Sequence, residues 1–240
     1  MSDPVDPGDI DLNVAFGATS QFGATTGQSA PLAGWNPQDP TITETKQVAT
    51  TANDVGDVTD AKEYDVTTET VQSYKAAQVA ATDLPSDVGS MMAGNLVTKI
   101  VIKTSATDFV TMELTGHNHA VNAHSANSDH RKMDIDVELS SGFGAHNFLG
   151  ATLGDNAAIE SSEITFEVQH TDIVAGMTGS HFAGNNYQGH VTCTQTFRGT
   201  PTTPVDTTVW TVIPNKATAK KQTDYDTVTV TAERWIALDV

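Results

Sequence analysis

The sequence predicts an all-β, mainly antiparallel protein, a β-sandwich or β-barrel with one short helix and an extended N-terminal arm. The clearest evidence is a period-two pattern in which polar residues alternate with Met133, Ile135, Val137 and Leu139. The same alternation recurs over residues 163–169 and 190–197. Such a pattern buries one face of a strand and exposes the other, which is typical of antiparallel sheets.

The chain is expected to form an N-terminal arm over residues 1–40 and a single β domain over residues 41–240. Its 240 residues are enough to bury a substantial core. The arm is rich in Gly, Pro, Ala, Ser and Thr, with scattered aromatic residues such as Phe16, Phe22 and Trp35. Because it has little apolar surface of its own, it is expected either to be disordered or to dock onto a neighbouring subunit.

The first part of the β domain contains two β-branched segments and the predicted helix. Residues 45–50 and 64–68 favour strands. Residues 75–82 are expected to form the short helix, which ends before Pro85 because the residue preceding a proline avoids helical ψ.

The rest of the chain is predicted to alternate between strands and polar loops. Residues 96–103 and 109–114 form a predicted hairpin, and the histidine-rich segment 116–132 and the glycine-rich segment 142–147 are expected to be loops. The later strands are expected at residues 163–170, 189–197, 207–213 and 227–238. A loop with two prolines over residues 199–204 separates the second and third of these strands.

The composition is strongly acidic, with 30 Asp and Glu against 12 Lys and Arg and a formal charge of −18. This charge repels phosphate backbones, so sequence-specific nucleic-acid binding is not expected. It suits either simple solubility or the lining of a conduit along which DNA must slide without sticking.

Cysteine content and hydropathy indicate an unbridged chain that does not span a membrane. Cys193 is the only cysteine and lies on the apolar side of its strand, so we expect a buried, inert thiol. The first nine residues lack the basic and apolar regions of a signal peptide, and no stretch is long and apolar enough for a membrane span.

The histidines suggest one candidate metal site, which consists of His117, His119 and His130. His117 and His119 would share a face if they lie on a strand, and His124, Asp129 or His130 could complete the ligand shell of a divalent metal. Two alternatives stay open: the residues form a polar loop, or the histidines act as protonation switches near neutral pH.

No catalytic residue or cofactor is assigned from the sequence. There is no G-x-S-x-G elbow and no phosphate-binding loop. The acidic residues Asp134, Asp136 and Glu138 alternate with apolar ones, so they are interpreted as the exposed face of a strand.

The chain resembles bacteriophage virion structural proteins, most of all the tail-tube class. The resemblance consists of the Gly- and Thr-rich arm, a β domain with one cysteine and one short helix, and strands that end in aromatic residues, as in residues 227–236. It covers most of the chain as a pattern, without a diagnostic short motif.

This resemblance implies a non-enzymatic, self-assembling subunit that forms rings with an acidic, DNA-tolerant lumen. Its partners would be copies of itself and other virion proteins, and its location would be the virion, assembled in the host cytoplasm. Free sheet edges and the arm would join the copies. The alternatives are a jelly-roll capsid, decoration or adhesion protein, and a histidine-rich metal-binding protein or metalloenzyme.

Overall fold

The computed structural model describes residues 20–22, 35–76, 84–119, 131–135, 146–174, 181–213, 218–221 and 226–239. Side chains are not described at residues 62–65, 119, 172–174, 181–183 and 218–221 within these ranges. The strands are β1 Asn36–Pro37, β2 Thr41–Ala52, β3 Val58–Ala76, β4 Asp87–Val88, β5 Met91–Met92, β6 Asn95–Ser105, β7 Val110–His119, β8 Met133–Asp134, β9 Ala158–Val174, β10 His181–Arg198, β11 Thr211–Val212, β12 Thr218–Lys221 and β13 Asp226–Ile236.

Eleven of these strands form one large, open antiparallel sheet. Its order is β1-β3-β7-β6-β9-β10-β13-β11, with β2 beside β3, β12 beside β13 and β5 beside β6. Strands β4 and β8 form a separate pair. The prediction of an all-β, antiparallel protein is confirmed.

The predicted helix is not seen in the part of the chain that the structure describes. Lys75 and Ala76 continue strand β3, and residues 77–82 lie outside the described residues. No helix long and apolar enough to cross a membrane occurs among the described residues. The division of the chain at residue 40 stays a prediction.

Alternate residues of the central strands build the core on one face of the large sheet. In β6, Ile100 and Ile102 are buried there, and Met112 and Leu114 in β7 and Phe166 in β9 lie in the same cluster. On the same face, the cluster continues towards the β13 edge through Val191, Cys193 and Phe197 of β10 and Val230 and Ala232 of β13. The period-two pattern of the sequence therefore identifies the buried face correctly.

The core face is covered by loops and by the small β4–β8 pair. Leu149, Val205 and Trp210, all outside the strands, pack into the main core cluster. Val88 and Met133, from the small pair, are both fully buried. Much of this cover is irregular chain.

The segment at residues 20–22 is anchored to the core face of the same chain. Phe22 is 1% exposed, and Gln21 N donates a hydrogen bond to Gln72 Oε1 at 2.7 Å. The hydroxyls of Ser20 and Tyr74 lie 2.7 Å apart, and burial raises the pKa of the Tyr74 hydroxyl to about 12. Trp35 is also in the core, so two aromatic residues of the predicted arm contribute to the chain's own interior.

A polar network fastens the loop at residues 146–151 onto the sheet. Asn147 closes the loop through two 2.8 Å hydrogen bonds with the backbone of Ala151. Gln195, fully buried in β10, donates from Nε2 to Asn147 Oδ1 at 3.2 Å and accepts from the backbone N of Leu149 at 3.3 Å. A buried amide is tolerated in this core because its donor and acceptor are satisfied.

Two sequence predictions of strand boundaries need correction, and a third can be compared only in part. Residues 207–213 were expected to form a strand, but only Thr211 and Val212 do so, because Asp206 Oδ1 accepts hydrogen bonds from Thr208 and holds residues 207–209 in a turn. The predicted loop at residues 116–132 begins too early, since β7 continues to His119. The strand expected from Met133 is described only as Met133–Asp134, and residues 136–140 lie outside the described ranges.

We predict that Phe22→Ala lowers the free energy of unfolding by about 3 kcal/mol, because it removes a fully buried ring. Gly116→Ala should cost about 1–3 kcal/mol, because a Cβ there would collide with Phe22 Cε1 and lie 2.8 Å from Asn95 Cβ. Denaturant titrations of both variants and the double variant give a double-mutant cycle.

The cycle provides its own control. Gly116→Ala should cost less in the Phe22→Ala background, since one of its two collisions is gone. Strictly additive costs, or an unchanged stability of Phe22→Ala, would contradict the docking of residues 20–22 on this face.

We also predict that acidification destabilises the fold through His146. This side chain is buried, and burial lowers its pKa from the ordinary 6.5 because the charged ring loses solvation. His146 therefore binds a proton more readily in the unfolded chain than in the folded one. The contribution of neutral His146 to the free energy of unfolding is fully present above pH 6.5 and is lost as the pH falls below that value. His146→Gln should flatten the slope of unfolding midpoint against pH between about pH 7.5 and 5 relative to wild type.

His117→Gln is the matched control, because it also removes one histidine but changes a side chain in an open groove. Identical pH slopes for wild type and His146→Gln would contradict the assignment.

Candidate functional site: a groove on the polar face of the sheet

The face of the sheet opposite the core is polar. Opposed residues of neighbouring antiparallel strands point to the same face. We call this surface the polar face, and define it by Thr227, Thr229, Thr231, Glu233 and Trp235 of β13, His190, Thr192, Thr194 and Thr196 of β10, Glu163, Thr165 and Glu167 of β9, Lys99, Val101 and Lys103 of β6, and Thr111, Glu113, Thr115 and His117 of β7. Apart from Val101, these residues are half-buried or exposed.

Threonine pairs and ion pairs cross the polar face between strands. The hydroxyls of Thr194 and Thr231 lie 2.9 Å apart, and the next pair along, Thr196 and Thr229, is separated by 3.0 Å. Lys103 Nζ lies 3.1 Å from Glu163 Oε2, with both side chains about half exposed. Exposed pairs of this kind each contribute little, on the order of 1 kcal/mol or less, so they fix register more than they stabilise the fold.

A groove of about 660 Å³ opens on this face at the point where β9 separates from β6. The ladder between the two strands ends at Lys99 and Glu167. Beyond Glu167, β9 pairs with β10 up to Val174. The groove is lined mainly by charged and polar side chains on four strands, together with Val71, Val168 and one tyrosine, Tyr187.

Two histidines from distant parts of the sequence meet in this groove. The rings of His117 in β7 and His170 in β9 have centroids 6.1 Å apart. His170 Nδ1 lies 2.7 Å from Asn186 Oδ1. Because Asn186 Nδ2 already donates to the carbonyls of Arg131 and Gly89, Asn186 Oδ1 accepts, so His170 carries a proton on Nδ1.

Only part of the predicted metal site can be compared with the structure. His117 lines the groove, His119 is placed two residues further along β7 by its backbone alone, and His130 lies outside the described residues. Within the described ranges, no three His, Cys, Asp or Glu side chains are arranged to hold a metal ion. The metal hypothesis therefore stays a prediction, and the neighbour that the structure gives His117 is His170.

Two exposed aromatic residues flank the polar groups of this region. Trp235 is 56% exposed and stacks on His190, with ring centroids 4.1 Å apart. His190 Nε2 lies 3.0 Å from Glu233 Oε2. Tyr187 is 54% exposed and sits at a register shift in β10, between Asn186 opposite His170 and Gln188 opposite Gln169.

Cys193 has the environment of a structural thiol, as the sequence predicted. It is fully buried on the core face, and burial raises the pKa of its thiol well above the ordinary value. A nucleophilic cysteine needs the opposite conditions, an open and electropositive setting.

Sequence reasoning identified His117 as a candidate but not His170, Tyr187 or the groove. His170 lies 53 residues from His117 in the chain, and only the β7-β6-β9 order of the sheet brings them together. An exposed tyrosine at a strand irregularity carries no periodic signal that would separate it from other strand residues.

Comparison with known proteins gives no relatives on which a function could rest. No protein family model matches the chain, and no curated protein matches it.

Proposed function

We propose that this chain is a non-enzymatic, self-assembling structural subunit of a phage particle, a tail-tube subunit that forms rings. One observation carries the proposal, namely a long β-hairpin that leaves the body of the sheet and is exposed at every residue from 43 to 61. Hairpins and open sheet edges of this kind are completed by other chains in assemblies.

The hairpin consists of β2 and β3 beyond the last residue that pairs with the sheet. Strand β7 pairs with β3 only from Thr67 to Ala76. From Val58 to Tyr64, β3 pairs with β2 alone. Nearly every residue of β2 is exposed, and the apolar side chains of Val48, Val55 and Val58 are 51%, 76% and 63% exposed.

A two-stranded ribbon with no covered face is at best marginally stable in water. This ribbon has no packed side in the described residues that would offset the entropy of ordering it. A second copy of the chain that covers the ribbon would supply the missing burial. The exposed valines are the side chains that such a contact would bury.

The two edges of the sheet carry opposite charge. Residues 44–65, at the β2–β3 edge, include six Asp and Glu (Glu44, Asp54, Asp57, Asp60, Glu63 and Asp65) against Lys46 and Lys62. At the other edge, residues 216–226 include Lys216, Lys220 and Lys221 against Asp224 and Asp226, which gives this edge a net charge of +1. Opposite charges on opposite edges favour contacts in which the β2–β3 edge of one copy meets the β12 edge of the next.

Such a contact is heterologous, because each copy uses two different surfaces. Repeated contacts of this type close into a ring or continue as a filament. In this proposal the predicted β-barrel or sandwich is completed by several copies, whose open sheets join edge to edge. The formal charge of −18 supports a lumen that DNA can pass without binding.

We predict that reversing both edge lysines, as Lys220→Glu with Lys221→Glu, abolishes assembly by placing acidic edges against each other. Adding Asp57→Lys and Asp60→Lys on the hairpin should restore it. Sedimentation velocity and negative-stain electron microscopy of concentrated full-length protein measure the outcome. Wild-type assembly should also weaken as salt is raised, because exposed charges are screened beyond about 10 Å at 0.1 M salt.

The matched control is Lys99→Glu with Lys103→Glu, which changes the net charge equally but lies on β6 in the middle of the sheet. This control variant should assemble as wild type does. Circular dichroism is used to check that each variant is folded. A wild-type protein that stays monomeric at all concentrations, salts and pH values, or edge reversals without effect, would overturn the proposal.

A further inference from the structure

We propose that the groove on the polar face binds an uncharged polysaccharide, held against Tyr187 by contacts with polar side chains of β3, β7, β6 and β9. This inference goes beyond the assembly proposed above and does not depend on it. It is drawn from the shape of the groove, its exposed tyrosine ring and the mixture of hydrogen-bonding groups that line it.

The size and openness of the groove suit a short stretch of a longer chain. Its volume, about 660 Å³, falls in the usual range for small-ligand sites, about 300–1,000 Å³. No element that the structure describes covers the polar face around the groove, so a polymer could continue past it at either end. A closed pocket would admit only a free small molecule.

The aromatic rings offer stacking surfaces at a suitable spacing. Trp235 is opposite His190, which is three residues from Tyr187 along β10. At about 3.3 Å per residue and about 5 Å between strands, the Cα atoms of Tyr187 and Trp235 are roughly 11 Å apart. The apolar C–H face of a pyranose packs on the electron-rich face of an aromatic ring. A chain of several pyranose units can therefore contact both Tyr187 and Trp235.

The polar groups of the groove are those that a polyhydroxylated ligand requires. A sugar hydroxyl both donates and accepts hydrogen bonds. The carboxylates of Glu69, Glu113 and Glu167 accept, Lys99 donates, and the amide of Gln169 and the imidazole of His117 do both.

The charges of the groove exclude anionic ligands. Three carboxylates stand against Lys99, on a chain whose formal charge is −18. A phosphorylated, sulfated or uronic acid polymer would be repelled. The favoured ligand class is therefore a neutral glycan.

The strand that carries Tyr187 is held in place before any ligand arrives. Its neighbour Asn186 is fully buried and donates to the Arg131 carbonyl at 2.6 Å and the Gly89 carbonyl at 3.2 Å. Asn186 also accepts from His170, another residue of the groove. Asn186 is thus a positioning residue, and its network spares a ligand the cost of ordering this edge of the site.

The test is affinity electrophoresis of the full-length protein in gels that contain dextran, a β-glucan, a galactomannan or the anionic polymer alginate. Retardation by at least one neutral polymer and not by alginate is the expected result. Tyr187→Ala should weaken that retardation about tenfold, the upper range for one aromatic stacking contact. Glu167→Gln should also weaken it while leaving the fold unchanged.

Phe109→Ala is the matched control, because Phe109 is 49% exposed but lies just before β7 at the far end from His117. It should bind as wild type does. Mobility unaffected by every neutral polymer, stronger retardation by alginate, or retardation unchanged in Tyr187→Ala would overturn the proposal. Repeating the gels with the Lys220→Glu, Lys221→Glu variant separates the two proposals, since binding should persist there whether or not the chain assembles.

Discussion

The structure depends on one-sided burial of a large antiparallel sheet. Apolar side chains at every second position of the central strands, such as Ile100, Leu114 and Phe166, are withdrawn from water on one face. The free energy of that burial is the main term that offsets the entropy of ordering so long a chain. The covering layer is made of loops and a small strand pair, and none of the elements that the structure describes covers the opposite face.

This arrangement divides the molecule into a part that stabilises the fold and parts available for contact. The core face contains satisfied polar groups such as Gln195, whose amide is bonded to the loop above it. The polar face carries mixed charges and threonine pairs that fix strand register. The β2–β3 hairpin extends past the last residue of β3 that pairs with β7, so its outer part belongs to neither face. Assembly through the edges and ligand binding on the polar face would therefore use separate surfaces.

The sequence was sufficient to predict an all-β, antiparallel protein and its buried face, because period-two alternation reports directly on burial. The sandwich or barrel and the short helix are not confirmed. It could not predict the length of the hairpin, since the exposed residues of β2 follow no apolar pattern. It also could not bring His117 and His170 together, because their proximity follows from a strand order that local sequence does not encode. The turn at residues 207–209 was missed because the hydrogen bonds of Asp206 outweigh the β-propensity of Thr207 and Thr208.

The position of the single cysteine gives the protein an internal reporter of its own opening. Cys193 pairs with Ile164 on one side and Ala232 on the other, in the interior of the sheet. A thiol reagent can reach it only when these ladders come apart, so the labelling rate tracks the population of open molecules. Every substitution, salt or polymer studied with this chain can thus be compared on one scale, the labelling rate of its own thiol.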